Sequence, residues 1–244
     1  MERTLSYFVA DVHLGLAVAD PAEREERFVS FLNSLPADTK SLYLLGDIWD
    51  FWYEYRDVVP REGFRVLAAL SRLVDEGVEV WFIPGNHDIW TFSFFSELGI
   101  RKAEQPLFVK IGDAEFCLGH GDGLGGARRS YRFMLSIFHC RFLQRCFSTL
   151  HPRIAFSLAR LWSGSNRRCH EPYHFRGEDE PLWRYAAKVS SEKKLDYCIF
   201  GHFHDAVDTL LPTGARLIVL KDWIGGGMPH AVFDEATSSF SPGC

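Results

Sequence analysis

No run of about eighteen apolar residues occurs anywhere in the chain, so the sequence offers no membrane-spanning helix. C-x-x-C pairs are missing too: the six cysteines, Cys117, Cys140, Cys146, Cys169, Cys198 and Cys244, are scattered. That spacing argues against a structural zinc or a disulfide frame and for free thiols in a reducing compartment. The opening residues Met-Glu-Arg-Thr-Leu-Ser-Tyr lack the charged-then-apolar order of a secretion signal. A cytoplasmic protein is the expectation, which leaves room for a peripheral seat on a membrane surface. Internal repeats and low-complexity tracts are absent. The most local deficit is acidic charge: from Gly123 to His170 there is no Asp or Glu.

What is present is a chain of 244 residues, 47% hydrophobic, with a mild formal charge of -5. That length suffices for one sizeable core with an inserted lobe. Leu5 to Ala10, Ser41 to Leu45 and Val78 to Ile83 are apolar runs of strand length. Between them, a helix is predicted from the Asp20-Pro21 cap toward Leu35, and another from Pro60 to Glu76, stopping at Gly77. Strand, helix, strand, helix, strand favours a layered α/β fold with parallel pairing, whose strand ends converge on one site. Phe116 to Gly119 and Tyr197 to Phe200 extend the pattern, and hairpin-like strands at Arg216 to Leu220 and His230 to Asp234 are expected to close it.

The acid-free stretch reads differently. Its basic residues are all arginine: Arg128, Arg129, Arg132, Arg141, Arg145, Arg153, Arg160, Arg167 and Arg168. Apolar residues such as Phe133, Phe138, Phe142 and Phe147 lie between them. The reading is an inserted basic, amphipathic helical cap at 123–170, dividing a core made of 1–122 and 171–244. Such a surface suits docking on anionic lipid. A nucleic-acid partner is not expected, because the cap is rich in apolar residues and the remaining surface must be net acidic.

Five polar clusters follow the strands: D-x-H at Asp11 and His13, G-D-x-x-D from Gly46 to Asp50, G-N-H-D from Gly85 to Asp88, G-H-G-D from Gly119 to Asp122, and G-H-x-H from Gly201 to His204. In an extended segment, residues two apart point the same way, so each D-x-H or H-x-H pair would face one side. Carboxylates, imidazoles and one carboxamide without thiolate suit manganese, iron, cobalt or zinc. Asp47, after a buried strand, is the natural bridge between two ions. With Asp11 and Asp47 as the only anionic ligands, two divalent ions would keep a net charge of about +2, which attracts phosphate and acidifies water. One such cluster would mean little, since turns often hold a satisfied histidine. Five in order, each just after a strand, point to a metal centre.

These clusters resemble the calcineurin-like metallophosphoesterase superfamily over nearly the whole chain outside the cap. The resemblance implies a four-layer α/β/β/α sandwich. It implies one metal held by Asp11, His13, Asp47 and His204, and a second by Asp47, Asn86, His120 and His202. His87 would then face the leaving-group oxygen as general acid, with Asp88 beside it at the catalytic step, and Asp50, Asp88 and Asp122 would orient histidines from behind.

Within the superfamily, the chain most resembles the UDP-2,3-diacylglucosamine pyrophosphohydrolases of lipid A synthesis. The resemblance rests on Gly46-Asp47-Ile48-Trp49-Asp50-Phe51-Trp52, His120-Gly121-Asp122-Gly123-Leu124, the helical insert and Gly201-His202-Phe203-His204. It implies hydrolysis to UMP and a diacylglucosamine 1-phosphate, with manganese as activator and a nucleotide-sugar lipid as substrate. Asn86, His87, Arg128, Ser163, Asn166, Arg167, Arg168 and His202 are the candidate substrate contacts. No obligate protein partner is implied. The chain has His87 where many of these enzymes have arginine, Arg128 where an acid is expected, and Lys221 in place of a small residue. Another nucleotide-diphosphate or phosphodiester hydrolase, a nuclease, and a non-catalytic metal-binding scaffold stand as alternatives.

Overall fold

A computed structural model describes residues 3–126, 129–168 and 174–243, with the side chains of residue 160 and residues 162–168 outside the description. Among the described residues, strands β1 (Leu5–Val9), β2 (Thr39–Leu44), β3 (Glu79–Phe82) and β4 (Arg101–Lys102) pair in parallel. Strands β10 (His230–Asp234) and β11 (Ser239–Gly243) add antiparallel on the β1 side, giving the order β11-β10-β1-β2-β3-β4. The second sheet holds β5 (Leu107–Ile111), β6 (Ala114–Leu118), β7 (Tyr197–Phe200), β8 (Val207–Leu210) and β9 (Arg216–Val219) in the order β5-β6-β7-β9-β8. Its inner strands β6, β7 and β9 are parallel, and both edges are antiparallel.

The continuous apolar runs arise because both faces of these strands are covered. Alternate residues enter different cores. Tyr7, Val9, Leu42, Leu44, Val80 and Phe82 face the helices α1 (Pro21–Ser34) and α2 (Phe64–Asp75), which contribute Phe28, Phe31, Leu32, Val66, Leu70 and Leu73. Their neighbours Phe8, Ala10, Tyr43, Leu45 and Ile83 turn the other way and meet Phe116, Leu118, Ile199 and Ile218 of the second sheet. Cys117, Cys198, Phe200, Leu217 and Val219 face outward against Leu182, Ala186 and Val189 of α7 (Pro181–Lys193). Helix, sheet, sheet, helix: the layers form the α/β/β/α sandwich.

A short helix α3 (Phe94–Glu97) precedes β4, and α4 (Arg129–Phe138), α5 (Arg141–Ser148) and α6 (Pro152–Arg168) lie between β6 and α7. Loops that follow the strands of the first sheet anchor the first two. Trp90 Nε1 donates to Phe138 O at 2.8 Å, Tyr53 Oη to Gln144 O at 2.7 Å, and Tyr55 Oη to Leu150 O at 3.4 Å. Among its described residues, the α6 helix packs on the core: Ala155 and Ala159 are buried, and Phe156 meets Phe51 edge-on at 5.3 Å. No helix among the described residues is long and apolar enough to cross a membrane.

Two expectations are corrected. The second helix begins at Phe64 rather than Pro60, because Gly63 at φ 78° turns the chain there. The Trp49 indole donates to Glu62 O at 3.2 Å and sits so close that a Cβ on Gly63 would lie 2.4 Å from its Nε1. The closing strands do not form a hairpin with each other. β9 pairs with β8 in the second sheet, whereas β10 pairs with β1 and β11 in the first. Residues 220–229 therefore cross from one sheet to the other, past the strand ends.

The N-terminus of α1 forms as its sequence predicts. Asp20 Oδ1 accepts from Ala22 N at 2.9 Å and Glu23 N at 3.1 Å, with Pro21 at the first helical position. Replacing Asp20 with alanine is expected to lower stability by about 1 kcal/mol in urea unfolding, with the denaturant slope unchanged. No loss would mean that packing against Trp223 and the first sheet alone holds the helix end.

Candidate metal centre

Every cluster predicted from the sequence lies at the C-terminal end of a parallel strand: β1, β2 and β3 in one sheet, β6 and β7 in the other. Contacts across the gap bring the ends together. His202 N donates to Asp11 Oδ2 at 2.7 Å, Trp223 N donates to Asp11 O at 3.1 Å, and His120 Nδ1 lies 2.9 Å from Leu45 O. The D-x-H and H-x-H pairs converge for a different reason from the one expected. Asp11, His13, Asp47, His202 and His204 all have φ between 51° and 74°, so they are not extended. Each left-handed residue costs on the order of 1 kcal/mol or more, and the surrounding hydrogen bonds hold it there.

Three groups of ligand atoms result, each within 4.8 Å: Asp11, His13 and His204; His13, Asp47 and His87; and Asp47, His120 and His202. His202 and His204 thus serve different groups, instead of facing one side together. Asp47 Oδ2 lies 3.3 Å from His120 Nε2 and 3.9 Å from His13 Nε2, between the outer groups. Its Oδ1 accepts from His87 N at 2.9 Å. Asp11 Oδ1 is 3.7 Å from both His13 Nε2 and His204 Nε2.

The imidazoles are turned by their other nitrogens. His13 Nδ1 is 3.3 Å from Asp50 Oδ1, His204 Nδ1 is 3.1 Å from Asp222 Oδ2, and His87 Nδ1 is 2.8 Å from Asp50 O. In this way His13, His120 and His204 present Nε2 to the carboxylates. Burial alone would push the Asp47 carboxyl up, but the His120, His87 and His13 imidazoles hold it well below the usual range. Asp11 is lowered in the same way, by His13, His120 and His204 against burial and Asp47. For His120, burial is outweighed by Asp47, so its ring holds a proton well above the ordinary value. Burial, with His120 nearby, pushes His202 down to about 4. Burial also lowers His87, against the pull of Asp47.

These residues fit divalent cations. Asp11 Oδ1 and Asn86 Oδ1 are buried with no hydrogen-bond partner, an arrangement that is costly unless a ligand completes it. The donors are carboxylate oxygen, carboxamide oxygen and imidazole nitrogen, the set that binds intermediate first-row ions.

The calcineurin-like phosphoesterase family model matches residues 6–206. The chain belongs to that family. It is accordingly a metal-dependent hydrolase. It is 35% identical to a UDP-2,3-diacylglucosamine hydrolase of Porphyromonas gingivalis over 96% of both chains. A protein of that name from Hamiltonella defensa is 29% identical over 96% of this chain and 95% of its own. Among solved structures, an archaeal phosphodiesterase covers 98% of both chains at 12% identity, with a TM-score of 0.49.

Two residues expected to orient histidines do something else. Asp88, also expected at the catalytic step, is fully buried and accepts backbone N–H bonds: Gly85 at 2.7 Å, Ile48 at 2.8 Å, Asp47 and Trp49 at 3.3 Å. It stitches the loop after β3 to the loop after β2. Burial and Asp47 raise its pKa to about 7, against the Gly85 and Trp49 N–H bonds. Asp122 accepts from Tyr131 Oη and Gln105 Nε2, both at 2.7 Å, tying α4 to the loop that carries His120. Asp222, Gln105 and Tyr131 were not read from the sequence. Asp222 follows the end of β9, the one strand of the parallel trio β6, β7 and β9 whose end carried no predicted cluster, and that position was the available signal. Arg128, and the side chains of Ser163, Asn166, Arg167 and Arg168, lie outside the described residues.

A metal takes the lone pair of a neutral imidazole, so an ion held by His120 would displace its ring proton. Manganese added to chelator-stripped protein near neutral pH is expected to release about one proton, and affinity should rise with pH until the raised His120 pKa is passed. Calorimetry in two buffers of different ionisation enthalpy measures the release. Identical heats in both buffers would show His120 already neutral.

Proposed function

We propose that the protein hydrolyses the pyrophosphate of UDP-2,3-diacylglucosamine to UMP and 2,3-diacylglucosamine 1-phosphate in lipid A synthesis, with manganese as the preferred ion. One metal would be held by Asp11, His13, Asp47 and His204, and the other by Asp47, Asn86, His120 and His202. Divalent ions there supply Lewis acidity, offsetting phosphate charge and making water more acidic at neutral pH. The names of the relatives support the substrate. One observation from the structure carries the reading furthest.

An apolar cleft of about 230 Å³ starts at Asn86, His87 and Asp50 and runs between the core and α4–α6, lined by Phe51, Trp90, Phe138, Phe147 and Leu158. A second space of about 510 Å³ lies beyond the shared wall of Trp90, Phe138 and Phe147, against Ile137, Leu143 and Leu150. Adjoining apolar spaces reached from a phosphate-binding centre suit a diacylated nucleotide sugar better than a soluble nucleotide. In this reading, residues 123–170 are the cap, and Arg128, Ser163, Asn166, Arg167 and Arg168 contact the phosphosugar together with Asn86, His87 and His202.

His87 stands where the cleft meets the metal cluster. With Nδ1–H donating to the Asp50 carbonyl, the protonated ring would offer its second N–H to a leaving phosphate oxygen. Burial disfavours that proton, and an approaching pyrophosphate restores it through its charge. Peripheral membrane docking in the cytoplasm completes the proposal. Phe133, Phe142, Ile154 and Leu161 are exposed on the helices that carry Arg129, Arg132, Arg141, Arg145 and Arg153, a surface suited to anionic lipid.

Replacing His87 with alanine is expected to reduce turnover by about 10²–10⁴ with metal content unchanged. Normal turnover would leave His87 a structural part of its loop. The substrate is tested by comparing kcat/KM for diacylated and unacylated UDP-glucosamine at fixed manganese and detergent. At roughly 0.8 kcal/mol per buried methylene, five ordered carbons favour the diacylated form by about 10³-fold. Equal values would sink the lipid assignment and leave a soluble-nucleotide hydrolase.

A further inference from the structure

Of the three ligand groups, the two outer ones differ in what stands behind them. In the group of Asp11, His13 and His204, both imidazoles rest on carboxylates: Asp50 Oδ1 at 3.3 Å from His13 Nδ1, and Asp222 Oδ2 at 3.1 Å from His204 Nδ1. An ionised carboxylate only accepts, so each Nδ1 carries the proton and each Nε2 keeps its lone pair for a cation. Such a partner also adds electron density to the ring and removes the cost of selecting a tautomer. In the other group, His120 leans on the neutral Leu45 carbonyl at 2.9 Å, and Asn86 offers a neutral carboxamide. Asp11 serves the first group alone, while Asp47 lies between the two.

We infer that the two metal positions are inequivalent: the one formed by Asp11, His13 and His204 binds a divalent cation more tightly, and Asp222 is the positioning residue that sets the difference. The inference rests on the two-metal reading of the centre. Asp222 is built for the role. Its Oδ1 accepts from Ile224 N at 2.7 Å, which fixes the carboxylate on the segment crossing between the sheets, and its side chain is 13% exposed.

The test is a manganese titration of the full-length, chelator-stripped protein, followed by calorimetry and by the electron paramagnetic resonance signal of free manganese. The wild type is expected to bind two ions, the first at least about tenfold more tightly than the second. Asp222→Asn keeps the shape and an oxygen for Ile224 N, but its amide cannot stand as an anion behind His204. It should weaken the first step by about 10–100-fold and leave the second nearly unchanged. Asp222→Glu should recover most of the loss, which a purely structural role would not predict. Two equal steps in the wild type, or an unchanged first step in Asp222→Asn with an unaltered melting curve, would overturn the inference while leaving the two-metal reading intact. If Asp222→Asn does not fold, the wild-type steps and the Asp222→Glu titration decide the matter. Failure to bind manganese at all would overturn both.

Discussion

Two carboxylates, Asp11 and Asp47, sit almost without exposure where the two sheets meet. A buried anion is tolerated only when hydrogen bonds and positive charge surround it, and the architecture of the centre follows from that requirement. One oxygen of each carboxylate is tied to the backbone of another cluster, Asp11 Oδ2 to His202 N and Asp47 Oδ1 to His87 N. The other oxygen faces imidazoles. The same side chains therefore join the loops and provide the ligand atoms. This crowding explains the glycines of the motifs. A Cβ on Gly85 would stand 2.2 Å from Asp47 Oδ1, one on Gly201 2.4 Å from Asp11 Oδ2, and one on Gly46 2.7 Å from the His120 ring. A side chain at any of the three would move a carboxylate or an imidazole.

The helices α4 and α5 are attached through the same loops. Trp90 and Tyr53, a few residues beyond Asp88 and Asp50, donate to main-chain carbonyls of the helical segment, and Tyr131 of α4 donates to Asp122, two residues after His120. These anchors are polar and aimed largely at backbone, so the apolar side chains of the helices stay free to line the clefts. A more completely apolar interface would have filled that space. The arrangement links the phosphate-binding centre to the acyl clefts of the proposed function, because Trp90 both anchors α4 and walls the two spaces.

Much of this was legible in the sequence. Strands buried on both faces give unbroken apolar runs, and those runs ended at the polar clusters that the structure brings together. The D-x-H motif was recognisable although the stated geometry was wrong, since motif spacing survives a change from extended to left-handed backbone. Asp222 was hidden because nothing local marks it: its partner His204 lies 18 residues earlier, and its position depends on a crossing between sheets that was read as a hairpin. Asp88 and Asp122 were identified as residues that matter, but an aspartate behind a histidine and one accepting backbone N–H groups look alike in sequence.

The spacing of the two proposed metal positions is set mainly by main chain. His202 and His204 leave the end of β7 within one short turn and diverge to different groups, while Asp47 Oδ2 stands between those groups. Both connections hang from strands at the centre of their sheets, β7 between β6 and β9, and β2 between β1 and β3. Strands held on both sides are the least free to slide, and a one-residue slip would reverse every side chain in both cores. The distance between the two proposed positions is thus protected by the same packing that folds the protein. In the proposed function, selection among phosphate esters would fall to α4–α6 and their clefts, where apolar side chains of the described residues lie open.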